Sequence, residues 1–84
     1  MLDFRTILLS ELEKRRVSNP TYSLRAFASS FQIAPATLSR VLNGKEELSF
    51  KCAAKILRSA PFSPEIRAEF VDSVVESQKR RWIF

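Results

Sequence analysis

The sequence predicts an all-α domain of five helices organised on a helix-turn-helix, and three observations predict it. Within Ser23–Gly44, Leu24, Phe27, Ala28 and Phe31 recur at helical spacing, Ile33 falls in a turn, and Leu38, Val41 and Leu42 form the stripe of a second short helix. Helix start and stop residues punctuate the rest of the chain, at Asp3, Asn19-Pro20, Ser23, Pro35, Asn43-Gly44, Ser49 and Ser63-Pro64. The length of 84 residues and the 45% hydrophobic content suffice for one compact domain spanning 1–84, without help from a metal or a disulfide.

The first helix is expected from about Asp3 to Val17. Phe4, Ile7, Leu8 and Leu12 make its apolar stripe, with Glu11 and Arg15 one turn on. Asp3 suits the positive N-terminal end of the dipole, and Lys14, Arg15 and Arg16 suit its negative end. That basic run reads either as a solvated helix end or as a phosphate contact. Ser18 to Thr21 make the connection, because the residue before a proline disfavours helix.

The second helix starts at Ser23, whose hydroxyl can cap free N–H groups while Tyr22 packs on Phe27 as a hydrophobic staple. Ala28 is small enough for the close crossing of two steeply packed helices. Ser29, Ser30, Ala36, Thr37, Ser39 and Arg40 are left facing out, and small polar side chains around one arginine suit close approach to a DNA groove. Helix N-terminal amides favour anions, so Ser23 and Arg25 are candidate phosphate contacts, with plain solvation the alternative for Arg25.

The third helix begins near Pro35, where a proline costs no hydrogen bond, and stops at Asn43-Gly44. Arg40 is the side chain here that can make a bidentate contact to guanine; the alternative is an ion pair with Glu46 or Glu47. Ala36 and Thr37 can meet a thymine methyl, and Ser39, Asn43 and Lys45 can reach phosphates.

Leu48 is expected to plug the core and Ser49 to cap a fourth helix, with Phe50, Ala53, Ala54, Ile56 and Leu57 on its buried side. Lys51, Lys55 and Arg58 share its opposite face. Ser63-Pro64-Glu65 opens the fifth helix. There Ile66, Phe70 and Val74 form one stripe and Val71, Val75, Gln78 and Trp82 a second, a face wider than one small core needs. Trp82, Ile83 and Phe84 either fold back on the first helix or join Phe70 and Val74 in a dimer surface.

Charge supports a polyanion partner. The net charge is +5, and no acid lies between Glu13 and Glu46 or between Glu47 and Glu65, so the DNA-facing part is expected to be free of acids. Cys52 is alone and histidine is absent, which removes disulfide frameworks, zinc clusters and histidine catalysis and makes an enzyme or a small-molecule cofactor a poor reading. The early acid and the short apolar run at the N-terminus do not fit a signal peptide, and no segment has the length of a membrane span. A cytoplasmic location is therefore expected.

These residues resemble a known class. Ser23–Gly44, with LysGluGluLeuSer and the Ala-Ala-Lys-Ile helix after it, is similar to the phage repressor and Cro helix-turn-helix domains. DFRTILLSELEKRR, NPTYSLRAFA and LSRVLNGK resemble, more narrowly, the N-terminal domain of a bacterial family of transcription regulators whose longer members carry a further C-terminal domain. The resemblance implies a compact five-helix repressor-like fold, a recognition helix at Pro35–Leu42, double-stranded DNA as partner, and DNA contacts at Ser23, Arg25, Pro35, Ala36, Thr37, Ser39, Arg40, Asn43 and Lys45. Two positions depart from the class: Gln32 stands at the usual turn glycine and Ala34 at the usual Ser or Thr cap, each at a cost of about 1 kcal/mol. Pro35 and Ala36 replace polar base readers, so direct readout is expected to rest mainly on Arg40. The alternative function is a protein-interaction module that uses the C-terminal helix face, with the helix-turn-helix as scaffold.

Overall fold

Capping side chains mark where the helices start. In the computed structural model, which describes the backbone of residues 2–83 and side chains up to residue 80, the order is α1 (Phe4–Ser18), α2 (Leu24–Ser30), α3 (Pro35–Leu42), α4 (Phe50–Ser59) and α5 (Pro64–Ile83). Asp3, Ser23, Ser49 and Ser63 accept the N–H groups of Thr6, Ala26, Cys52 and Ile66, respectively, at 2.8–3.2 Å. Ala34, at the N-cap of α3, offers no such bond, and Pro35 follows it where a missing N–H is harmless.

α1 packs on both α3 and α5, α2 on α3, and α4 on α5. The core lies between them. Phe4, Leu8, Phe27, Phe31, Leu38, Leu48, Ile56 and Phe70 are each at most 2% exposed, and each such side chain contributes roughly 1.5–3 kcal/mol by leaving water. Tyr22 sits edge-on to Phe27, ring centroids 6.4 Å apart, as the staple requires. Ala28 is fully buried beneath α3.

Both helices of the central pair end in the same hydrogen-bond motif. At the end of α2, Gln32 N–H donates to Ser29 O and Ile33 N–H to Ala28 O; at the end of α3, Gly44 N–H donates to Val41 O and Lys45 N–H to Arg40 O. The motif needs a left-handed residue. Gly44 takes it freely at φ 75°, and Gln32 takes it at φ 58° despite its Cβ. Lys55 Nζ donates to Gln32 O at 3.1 Å and braces that turn from α4.

Three packing expectations are corrected. Phe70 and Val74 belong to the monomer's own core, at 0% and 2% exposure, so neither forms a dimer surface. Their stripe on α5 faces α1 and α4, while Val71 and Val75, about 100° around the helix from it, are the exposed apolar residues. Phe50 is 56% exposed: it is the first residue of α4, at the edge of the arc centred on Ala53, Ile56 and Ala60. Ala54 is turned out for the same reason, about 100° from Ala53. Trp82 and Phe84, assigned to the same surface, lie outside the described side chains.

Candidate nucleic-acid interface

α3 separates its two faces cleanly. Leu38 and Val41 are buried on one side, and Ala36, Arg40 and Asn43 stand at i, i+4 and i+7 on the other, all exposed. Pro35 is exposed at the helix start; Thr37 and Ser39 are half-buried at the margins. Asn43 Nδ2 donates to Ser39 Oγ at 3.4 Å, a long bond that leaves both side chains able to turn outward. Lys45 follows α3 and is exposed.

α2 places both of its candidate residues at the surface. Ser23 and Arg25 are exposed, and Arg25 has no ion pair among the described residues. The Ser23 hydroxyl accepts the Ala26 N–H and keeps its own proton to donate. The helix has 7 residues, so its dipole is short.

The basic end of α1 has a role that neither sequence reading assigned. Arg15 donates from Nε to Glu11 Oε2 at 2.9 Å and from Nη1 to Tyr22 Oη at 3.0 Å and Ser30 Oγ at 2.9 Å. Its guanidinium also lies 5.1 Å and 5.2 Å from the ring centroids of Phe27 and Phe31. Burial alone lowers the affinity of this group for its proton, but the hydrogen bonds to Tyr22 and Glu11 outweigh it and hold the pKa above the ordinary arginine value. Arg16 Nε donates to the Tyr22 carbonyl at 3.1 Å. Arg15 ties α1 to α2 and Arg16 ties α1 to the segment before α2, and Lys14 is the exposed cation of the run.

Arg40 carries an ion pair. Its Nε donates to Glu46 Oε1 at 2.9 Å, with the two side chains 51% and 39% exposed. The expectation of a face without acids is therefore corrected: the Glu46 carboxylate sits beside the central arginine, because the turn after Gly44 folds the chain back along α3. Glu47 turns away, to Arg5 Nη2 at 3.3 Å and to the Ser77 hydroxyl.

Arg5 is the residue that sequence reasoning missed. From α1 it donates through Nε to Val41 O at 2.8 Å and through Nη2 to Glu46 O at 3.2 Å, joining the end of α3 to the following loop. Its partners lie 36 and 41 positions away, so no local pattern announces it.

Among the described residues no group of three His, Cys, Asp or Glu side chains is placed to hold a metal ion, and no helix is long and apolar enough to cross a membrane. The arrangement offers one charged, hydrogen-bonding helix face with the exposed cation Lys45 just beyond its end. Comparison of the chain with family models, with curated proteins and with solved structures finds no match.

Proposed function

We propose that this chain is a sequence-specific DNA-binding transcriptional regulator with a repressor-like helix-turn-helix fold, acting in the cytoplasm and placing α3 in the major groove. The observation that carries the reading is the α3 face itself. Its outer line, Ala36–Arg40–Asn43, holds no large apolar side chain, its inner line is locked into the core, and Lys45 follows its end as an exposed cation. Small residues let the helix backbone approach base edges, and arginine supplies the most frequent specific contact, to guanine.

A fluorescence-anisotropy titration tests this with a labelled random duplex and with duplexes selected from a randomised pool. The expected result is weak binding to the random duplex, roughly micromolar or weaker and falling steeply with salt, and binding to a selected site tighter by about a thousandfold or more. Arg40→Ala is expected to lower affinity for the selected site by about tenfold or more and to change the random duplex little. No binding to any duplex at low salt overturns the proposal.

One observation favours a second reading, in which the chain pairs with a copy of itself through its C-terminal half. Phe50, Ala54, Leu57, Val71 and Val75 line an open groove of about 140 Å³ between α4 and α5. Its walls are almost wholly apolar, and pairing of two recognition helices is how such domains span two half-sites.

A further inference from the structure

The proposed reading of α3 as a recognition helix leaves Glu46 unexplained, since a carboxylate at a phosphate-facing surface opposes binding. The contact it makes supplies a reason. Glu46 engages Arg40 through Nε alone, and among the described residues the two Nη groups of Arg40 have no hydrogen-bond partner. A guanidinium bonded through Nε is restricted in direction, while the Nη1 and Nη2 donors at its far end remain a fork that matches guanine O6 and N7.

Glu46 is itself held from two sides. The Gly44 turn, with Lys45 N–H donating to Arg40 O at 2.9 Å, brings the chain back beside the arginine. Arg5, anchored on Val41 O, donates to the Glu46 carbonyl at 3.2 Å and fixes the backbone from which the carboxylate reaches. An exposed arginine loses rotamer freedom whenever it docks; here part of that loss is already taken in the free protein.

We propose that Glu46 is a positioning residue for base readout: it holds Arg40 by Nε and presents the Nη1/Nη2 edge to a guanine. Resting on the DNA-binding reading, this assigns guanine as the base class that the site selects. Its charge also weakens attachment to sequence-independent phosphates, so the same residue raises selectivity from both directions.

The test uses duplexes selected by the parent chain, with each guanine replaced in turn by 7-deazaguanine, which lacks the N7 acceptor. The parent is expected to lose about tenfold in affinity at one guanine position per bound chain. Glu46→Gln keeps an oxygen acceptor for Nε, so it is expected to keep most of that penalty and to bind the random duplex a few-fold tighter. Glu46→Ala is expected to tighten random binding equally and to lose most of the 7-deazaguanine penalty, with an unchanged far-UV circular dichroism spectrum. A Glu46→Ala chain that keeps the full penalty overturns the inference while leaving DNA binding intact, as does a selected pool with no guanine preference. A parent chain that binds no duplex overturns both.

Discussion

Gln32 and Gly44 both hold a left-handed backbone, at φ 58° and 75°, and only the second is a glycine. The Cβ of Gln32 meets the following carbonyl in that conformation, at a cost of about 1 kcal/mol or more. The motif tolerates it because its two backbone bonds and the Lys55 brace all act through main-chain atoms of this turn. Gln32→Gly is therefore expected to raise the unfolding free energy by about 0.5–1 kcal/mol, read as a higher urea midpoint with an unchanged slope. Asp3 gives a second test at this scale. The backbone N–H of Thr6 holds its carboxyl below the ordinary value of 3.8, so its contribution is complete above about pH 4 and fades as pH falls through the lower folded value. The stability advantage of the parent over Asp3→Ala is expected to be about 1 kcal/mol at pH 7 and to shrink below pH 4 in parallel urea titrations.

The elements are joined by polar clips as well as by the core. Arg15, held by Glu11 on its own helix, ties α1 to Tyr22 before α2 and to Ser30 on α2, and Glu11 is only 5% exposed. Removing the cation leaves a buried carboxylate with Lys14 Nζ at 3.9 Å as its remaining partner. Arg15→Met is expected to cost about 2 kcal/mol, less than for a fully dry pair because Arg15 is partly exposed, and adding Glu11→Gln is expected to recover part of it. Non-additivity in that cycle of urea midpoints is the measurement; strict additivity would show that the pair does not couple. A similar clip crosses the other end of α1, where Phe4 N–H donates to Ser73 Oγ at 2.8 Å on α5. At the end of α5, Gln78 Nε2 donates to Leu48 O at 2.7 Å, which explains a buried glutamine on a helix otherwise packed through Phe70 and Val74.

At the scale of the whole molecule, acidic and basic residues are unevenly distributed along the chain. Residues from Lys14 to Lys45 contain no acid, while Glu65, Glu69, Asp72 and Glu76 lie along α5. On the proposed function, the Lys14 to Lys45 stretch meets phosphates with Glu46 as the carboxylate beside Arg40, and DNA binding is expected to depend strongly on salt. Lys45→Ala is expected to reduce the slope of log affinity against log salt by about one and to weaken all duplexes similarly, in contrast to the site-selective loss expected for Arg40→Ala. The α4–α5 groove lies elsewhere on the surface, with Phe50, Val71 and Val75 exposed. If two copies pair there, Val71→Asp is expected to abolish concentration-dependent sedimentation; a parent that stays monomeric at high concentration removes the second reading.

Helix positions, caps and the outward line of α3 were legible in the sequence because they depend on spacing within about ten residues. Asp3, Ser23, Ser49 and Ser63 cap where their types and places imply, and Ala36, Arg40 and Asn43 share a face by helical geometry alone. The choice between solvent, phosphate and protein partners for each cation was not legible, since an arginine reaches over several ångströms and its partners are chosen in three dimensions. Arg15 went to Glu11 and an aromatic cluster, and Arg5 to carbonyls across the fold. The same limit applied to α5: two apolar stripes side by side do not say which is buried. Tertiary packing decided that, putting Phe70 and Val74 inside and leaving Val71 and Val75 out, because α1 and α4 cover one arc of α5 and nothing in its local pattern specifies which.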